Sequence, residues 1–285
     1  MYLLILLQQL IASGTHIIAK NLTNSVSPVV VLFYRSSLSA LIFTCWILYK
    51  HKFLPAIERK DFLMLIILGA LNIPINQFLF LQSIHFTTAP NVALAYALTP
   101  AFVAMLVIFL HQEKITLLKG IGIAGAIGGV VLILFERGLE FKSEYFFGNI
   151  LALAASISWA GYTVFGRDIL RKYGAIYTTG ITMIIGFLLY LPIFIFLPDK
   201  IVLAALDIPK ILSILYLALF TSVIAYVLWY YALKKIDASS LTVFNNLQPV
   251  LTSILAYFIF EQSFSVLFIS GGILIIIGVI LTQKR

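Results

Sequence analysis

The sequence predicts an all-α integral membrane protein with ten transmembrane helices, arranged as two inverted-topology repeats of five helices. Three observations lead to this fold class. Of the 285 residues, 62% are hydrophobic and only 11% are charged, whereas soluble domains carry about 25% charged residues. The apolar residues form continuous runs long enough to cross a bilayer. Motifs of the first half also recur in the second half of the chain.

The apolar runs favour helices over the strands of a barrel. Runs such as Phe62–Leu71 and Ile273–Leu281 are uninterrupted, whereas barrel strands alternate apolar and polar residues. A helix needs about 20 mostly apolar residues to cross the hydrocarbon core. Proline, glycine and charge clusters separate ten such runs, at residues 2–20, 29–49, 62–84, 91–111, 117–135, 148–167, 176–198, 211–233, 238–260 and 265–282.

The first run could be mistaken for a secretory signal. It lacks a basic start and an A-x-A-like cleavage site, and it carries Gln8, Gln9, Ser13 and His16. We therefore expect it to remain as the first helix of the mature protein. The charged stretch Glu136–Gly148 then divides the ten helices into two predicted repeats, residues 1–140 and residues 148–285.

The net charge of +8 lies in short clusters between the apolar runs. Such clusters set membrane orientation and do not indicate a nucleic-acid partner. With cytoplasmic termini, thirteen Lys and Arg residues fall in inside segments and five in outside segments, and Arg35 lies within the second helix. We therefore expect a multi-pass protein of the cell (cytoplasmic) membrane, with the lipid bilayer as a partner and both termini in the cytoplasm.

The internal repeat becomes visible at a shift of 149 residues. The matched pairs are Ala89 with Ala238, Leu98 with Leu247, Pro100 with Pro249, Gly122 with Gly271, and Gly129 with Gly278. Because each repeat contains five helices, the two repeats must enter the membrane in opposite senses. Inverted repeats are a common construction of secondary transporters, with the substrate site near the midplane. A duplicated scaffold without transport function is the alternative.

These motifs resemble the EamA-type transporters of the drug/metabolite transporter superfamily. The resemblance rests on Ala89-x10-Pro100 with Glu113 and Gly122…Gly129-Val130, on the second copy of that pattern, on Ser158-Trp159-Ala160-x-Tyr162, and on Lys20 and Arg35. It covers essentially the whole chain and implies alternating access and, often, export of amino acids or related metabolites. The family commonly has a tryptophan in the first helix, whereas this chain has Ser13-Gly14-Thr15-His16, which weakens any ligand role carried over for that helix.

Polar side chains within the predicted spans are candidates for the wall of a substrate cavity, because polar groups in hydrocarbon normally face the bundle interior or a water-filled path. Spacings of three or four residues place them on common helix faces. The candidates are Gln9, Ser13 and His16; Asn72 and Asn76; Tyr96 and Thr99; Trp159 and Tyr162; Ser222, Tyr226, Trp229 and Tyr230; and Asn245 and Gln248.

Each candidate has an alternative role. Asn, Gln, Ser and Thr also join transmembrane helices by hydrogen bonds, so lining and packing stay open. For Trp229 and Tyr230, anchoring at the membrane interface is favoured because Lys234 and Lys235 follow closely.

Three further features concern mechanics and charge. Pro100 and Pro249 each remove a backbone donor within a predicted helix, and their symmetric placement predicts hinges. The Gly125-x-x-x-Gly129 step predicts close helix packing, within the chain or in a homo-oligomer. Arg35 is the one strong base well inside a span; it either reaches toward the outer surface, pairs with an acceptor, or attracts an anionic substrate.

The sequence also lacks several kinds of chemistry. No Asp or Glu lies well inside a predicted span, which argues against a carboxylate proton relay and favours facilitated diffusion, exchange, or coupling through His or Lys. We find no phosphate-binding loop, metal-ligand pattern or nucleophile constellation, so we expect no enzyme, no cofactor and no metal. The predicted function is secondary transport, with export of a small metabolite such as an amino acid. The alternatives are a hydrophobic drug or lipid-linked substrate, and a non-transporting membrane partner subunit.

Overall fold

The structure is a computed structural model that describes residues 2–50, 55–110, 116–134, 144–196, 206–236 and 238–282. These residues form ten helices, as predicted. They are α1 Tyr2–Thr23, α2 Pro28–Lys50, α3 Arg59–Phe86, α4 Ala89–Phe109, α5 Leu117–Leu134, α6 Glu144–Tyr173, α7 Ala175–Phe196, α8 Ile208–Leu233, α9 in three pieces (Ala238–Thr242, Val243–Asn246 and Leu247–Phe260), and α10 Val266–Thr282. The motif residue Glu113 and the predicted repeat boundary near residue 140 lie outside the described residues.

The helices have the surface of a membrane protein. Eight of the described helices are long and apolar enough to cross a membrane, and α5 and α10 contain the shorter apolar helices Gly120–Gly129 and Val266–Leu281. Phe196 is 86% exposed, whereas Gln9 and Asn72 are 0% exposed. Apolar side chains outside and polar side chains inside are what a hydrocarbon solvent requires.

Helix α6 is longer than predicted because its charged final turns continue the helix beyond the apolar run. Arg171 and Lys172 lie in its last turn, where basic side chains favour the negative end of the helix dipole. Gly174 ends the helix with a φ of 85°, a left-handed conformation that glycine adopts without steric cost.

Four helices are locally irregular. Helices α3 and α8 contain π-helical segments at Leu71–Gln77 and Leu217–Ala225. Helix α4 is interrupted at Leu98, between Ala89–Ala97 and Thr99–Phe109, and α9 winds as a 3₁₀ helix just before its last piece.

The interruptions of α4 and α9 change where the two prolines lie: each was expected within a continuous helix, and each lies near the start of a helical piece instead. Pro100 lies in the first turn of Thr99–Phe109, and Pro249 is the third residue of Leu247–Phe260. The first turn of a helix has no intrahelical partner for its N–H groups, so proline removes no helical hydrogen bond there. The hinge role of both prolines stays a prediction.

Helices α5 and α10 pack backbone against backbone. A Cβ atom built on Gly129 would lie 2.6 Å from the carbonyl oxygen of Gly271, and one built on Gly278 would lie 2.6 Å from the carbonyl oxygen of Gly122. The two helices therefore run antiparallel. A Cβ on Gly125 would also meet the Gly278 Cα atom, at 3.7 Å, so the predicted glycine packing occurs within the chain.

The two halves interleave. Helix α2 packs on α7 and α8, α3 packs on α6 and α7, α1 packs on α9, and α4 packs on both α6 and α9. This arrangement leaves a central space bounded by helices of both halves.

Candidate functional site: a polar cavity in the centre of the bundle

The central cavity contains about 540 Å³ of space outside protein atoms, open solvent included. Seven helices contribute to its wall, and most of the wall residues lie well inside their helices. The wall consists of Gln8, Ala12, Thr15 and His16 of α1, Arg35 of α2, Asn76, Gln77 and Phe80 of α3, Tyr96 of α4, Trp159 of α6, Thr221, Ala225 and Tyr226 of α8, and Gln248 of α9.

Seven of the sequence-predicted residues lie in this wall. They are His16, Arg35, Asn76, Tyr96, Trp159, Tyr226 and Gln248. The structure thus brings together side chains from both halves of the chain, and their role as substrate contacts stays a prediction. The other candidates lie behind the wall, where all but Ser13 contact a neighbouring helix.

On α1, the face toward the cavity is displaced by one residue from the predicted stripe. Gln9 donates to Asn245 Oδ1 (3.1 Å) and accepts from Gln248 Nε2 (2.8 Å), so it faces α9. Ser13 donates to the carbonyl of Gln9 in its own helix, at 2.8 Å. The contacts of Gln9 with Asn245 and Gln248 therefore hold α1 against α9.

The displaced face of α1 carries the residues that the sequence analysis missed. Gln8, Ala12 and Thr15 follow the same spacing of four and three residues as Gln9, Ser13 and His16. The adjacent polar pair at positions 8 and 9 indicated a polar face wider than one stripe. Thr15 also contacts Thr221 of α8, with 2.7 Å between their hydroxyl oxygens.

On α3, the π segment holds both predicted asparagines, and the structure gives them different partners. Gln77 donates to Asn72 Oδ1 at 2.9 Å, and Asn72 faces Met183 of α7. Asn76 instead donates to the Tyr96 hydroxyl at 2.7 Å, in the cavity wall. Of the two predicted asparagines, Asn76 therefore lies in the cavity wall and Asn72 packs toward α7.

An aromatic cluster lies beside the cavity between α6 and α8. The rings of Tyr162 and Tyr230 stack with centroids 4.9 Å apart, and Trp159 contacts Trp229 at 5.4 Å. Trp229 is 1% exposed and Tyr230 is 0% exposed, and the Trp229 indole donates to Thr163 Oγ1 at 3.2 Å. The expectation that Trp229 and Tyr230 anchor the protein at the membrane interface was wrong, because both rings pack against α6.

Thr99, another of the sequence-predicted cavity residues, also packs between helices. The Thr99 hydroxyl lies 3.1 Å from that of Ser156 and joins α4 to α6. Phe80 of α3 and Ala225 of α8 were missed by the sequence analysis because they are apolar. Thr221 was missed because the predicted stripe on α8 began at the next residue, Ser222.

Arg35 is buried and faces the cavity. It is 2% exposed, and its Nε atom donates to the hydroxyl of Ser222 on α8 at 2.7 Å. Of the alternatives left open for Arg35, the one in which it reaches toward the outer surface was wrong. Ser222 therefore acts through Arg35 and connects α2 with α8.

His16 has one nitrogen engaged and one available. Its Nδ1 atom lies 2.7 Å from the carbonyl oxygen of Ala12. A carbonyl can only accept, so Nδ1 carries a hydrogen, and in the neutral ring Nε2 presents a lone pair. The ring is fixed edge-to-face against Phe80 and Tyr96, with centroid distances of 5.3 and 5.9 Å.

Four buried polar atoms in this wall have no hydrogen-bond partner among the described residues: Gln8 Oε1, His16 Nε2, Arg35 Nη1 and Gln77 Oε1. Buried polar atoms are nearly always paired in native proteins. Because these four atoms belong to residues of one cavity wall, the cavity is a candidate site for a polar ligand or water.

An apolar outer surface, membrane-length helices and a buried polar cavity define a multi-pass membrane protein. The EamA-like transporter family model matches residues 1–135 and 146–283. An uncharacterized transporter of Archaeoglobus fulgidus is 29% identical over 285 residues, covering 100% of this chain and 97% of the relative. The uncharacterized transporter YyaM of Bacillus subtilis is 27% identical over 281 residues, covering 98% and 92%.

One solved crystal structure superposes with a TM-score of 0.69 and 18% identity, over 99% of this chain and 95% of that chain. At this identity the likeness concerns the fold alone. The two matches of the family model span most of the sequence, so the chain belongs to the EamA-like transporter family. The resemblance drawn from the sequence is confirmed.

Proposed function

We propose that this protein is a secondary transporter that exports a small polar metabolite, an amino acid or a related solute, by alternating access. The observation that carries the proposal is the cavity with its four unpaired polar atoms. Three of these atoms are acceptors and one is a cationic donor. A solute with both an anionic group and N–H or O–H donors complements them. The unpaired polar atoms favour such a solute over a hydrophobic drug.

Alternating access requires two halves that can exchange roles, and several features support an inverted repeat. The α5–α10 contact is reciprocal: Gly129 meets Gly271 and Gly122 meets Gly278, and the shift of 149 residues exchanges the two contacts. Related helices in an inverted repeat run antiparallel, as these do. The interruptions before the two prolines in α4 and α9 and the π segments in α3 and α8 also recur at corresponding places.

The proposed site uses no acidic side chain. None of the described wall residues is Asp or Glu, which favours facilitated diffusion or exchange over a carboxylate proton relay. The excess of Lys and Arg in one set of connections supports cytoplasmic termini and a cell-membrane location.

The test is solute flux into proteoliposomes of the purified chain, with radiolabelled amino acids and nucleosides. We expect saturable flux of at least one amino acid. Tyr226→Phe removes a cavity hydroxyl and should raise the KM of that flux. Tyr257→Phe removes a hydroxyl from a side chain that is 58% exposed on the outer surface, and it should leave the KM unchanged.

The absence of saturable flux for every solute, from protein that remains monodisperse, would contradict transport of this class. An imposed pH gradient tests the coupling, because flux through a carrier without obligatory proton symport or antiport does not respond to it.

A further inference from the structure

Arg35 carries a buried positive charge that has no acidic partner among the described residues. Its side chain is 2% exposed, and its one hydrogen-bonding contact in the described structure goes to the neutral hydroxyl of Ser222. The ion pairs of the described residues lie elsewhere, near Lys172 and near Lys210. Burying a charge is costly unless an opposite charge and hydrogen bonds compensate for it. The positive charge of Arg35 in the cavity is therefore not compensated by any described residue.

The guanidinium is held in one orientation and keeps a donor free. Its Nε atom is engaged by Ser222 at 2.7 Å, and its Nη1 atom is buried with no acceptor among the described residues. Arg35 also belongs to the cavity wall. A planar guanidinium fixed on one edge presents its remaining N–H groups in a defined direction, which suits recognition of a carboxylate.

The number of charges limits the class of anion. Among the described wall residues Arg35 is the one strong base, and no acid accompanies it. A monoanion balances this charge, whereas a phosphate dianion would leave a buried excess of negative charge. The aromatic rings of Phe80 and Trp159 provide apolar surface for the rest of a small organic acid.

We propose that Arg35 binds the carboxylate of the transported solute, so that the cavity selects small monocarboxylates: amino acids and also their 2-hydroxy analogues. This inference rests on the proposed transport function. The carboxylate accepts charge-assisted hydrogen bonds from Arg35, and the two opposite charges compensate each other in the buried site. Ser222 is a positioning residue, because it acts by holding the guanidinium.

The experiment is a thermal-shift titration of the full chain in detergent with two matched series. The aromatic series is L-phenylalanine, phenyllactate, phenylalaninamide and phenethylamine. The aliphatic series is L-leucine, 2-hydroxyisocaproate, leucinamide and isoamylamine. We expect the acids of at least one series to raise the Tm in a saturable manner and the matched amides and amines to leave it unchanged.

Three results would overturn the proposal: an amide or amine that binds as well as its acid, no binding of any of the four acids, or an equal shift with sodium chloride. The last outcome would make the site one for inorganic anions. None of these comparisons needs a variant, so they decide the question even if substitutions at Arg35 impair folding.

Variants locate the effect. Truncating a buried, hydrogen-bonded charge typically weakens binding by about 30-fold or more, which is the loss expected for Arg35→Gln. Ser222→Ala keeps the charge and should weaken acid binding by a smaller factor. Ser37→Ala is its control on α2, because the Ser37 hydroxyl donates only within its own helix, to Tyr34 O at 3.1 Å. Unchanged acid affinity in a folded Arg35→Gln protein would overturn the assignment.

Flux in proteoliposomes separates this inference from the proposed function. Transport of an amine or amide without transport of any acid would support the proposed transport function and contradict the carboxylate site at Arg35. Saturable binding of acids without flux of any solute would contradict the transport function and support the carboxylate site.

Discussion

The contact between α5 and α10 predicts a large effect from the smallest possible substitution, Gly278→Ala. The added Cβ atom would lie 2.5 Å from the backbone nitrogen of Ala126 and 2.6 Å from the carbonyl oxygen of Gly122. Both neighbours are backbone atoms, so no rotamer change can relieve the overlap. The two helices must separate, and the contacts along their interface weaken.

Two opposing contributions to the free energy of unfolding give the size of the destabilisation by Gly278→Ala. Overpacking in a tight interior costs about 1–3 kcal/mol, and the overlap with backbone places this contact near the upper end. Alanine in place of glycine in a helix contributes about 1 kcal/mol of stability. The net destabilisation is about 2 kcal/mol, which corresponds to a fall in Tm of roughly 4–8 °C for a protein of this size class.

The assay is the fraction of monodisperse protein in detergent after heating, read by size-exclusion chromatography. Gly120→Ala is the matched control, because a Cβ there has no heavy atom within 4 Å, and its Tm should equal or exceed that of the wild type. Gly129→Ala should resemble Gly278→Ala, since its Cβ would lie 2.6 Å from Gly271 O. A Tm of Gly278→Ala at or above the wild-type value would refute the packing described here.

Three further predictions use the same assay. Gln9→Leu removes two hydrogen bonds to α9 and should lower the Tm by about 2–8 °C, given about 1–2 kcal/mol for such interhelical bonds; no change would place Gln9 outside the packing. Trp229→Phe loses the bond to Thr163 and should lower the Tm by several degrees, whereas an interfacial tryptophan would tolerate the change. A hydrogen bond from Lys172 lowers the pKa of Glu58, so this stabilisation is present above about pH 4.3 and lost as the pH falls through the lower folded pKa. Lys172→Met should therefore make the Tm less sensitive to acidification from about pH 5 to about pH 3, and an unchanged pH profile would contradict the pairing.

The cavity shows which of its residues could be predicted from the periodicity of polar residues in the sequence. The sequence indicated that His16, Asn76, Tyr96, Trp159 and Tyr226 face the interior, because polar and aromatic groups in a membrane span seek protein contacts. It could not distinguish a wall residue from one that joins two helices. That distinction depends on which helix lies opposite, and hydropathy carries no such information.

The errors have particular physical causes. The rotation of α1 about its axis is set by its contacts with α9, where Gln248 reaches Gln9 across 239 positions of the chain. In α3, Asn72 bonds to Gln77 and faces Met183 of α7, and the spacing of residues along α3 does not show which helix lies opposite. Trp229 was assigned to the interface from the lysines that follow it, but the neighbouring helix α6 buries it.

The sequence by itself determined that the helices lie in a bilayer, how many helices there are, which family the chain belongs to, and that motifs of the two halves match at a shift of 149 residues. These features depend on local composition and on spacing along the chain. Only the tertiary structure decided which polar groups meet in the cavity and that the glycines of α5 meet those of α10. It also decided that Arg35 donates to the Ser222 hydroxyl through Nε and keeps Nη1 without an acceptor among the described residues. These features depend on the rotation and crossing of packed helices. The interactions that set this rotation and crossing join residues far apart in sequence, so the pattern along a single helix does not determine them.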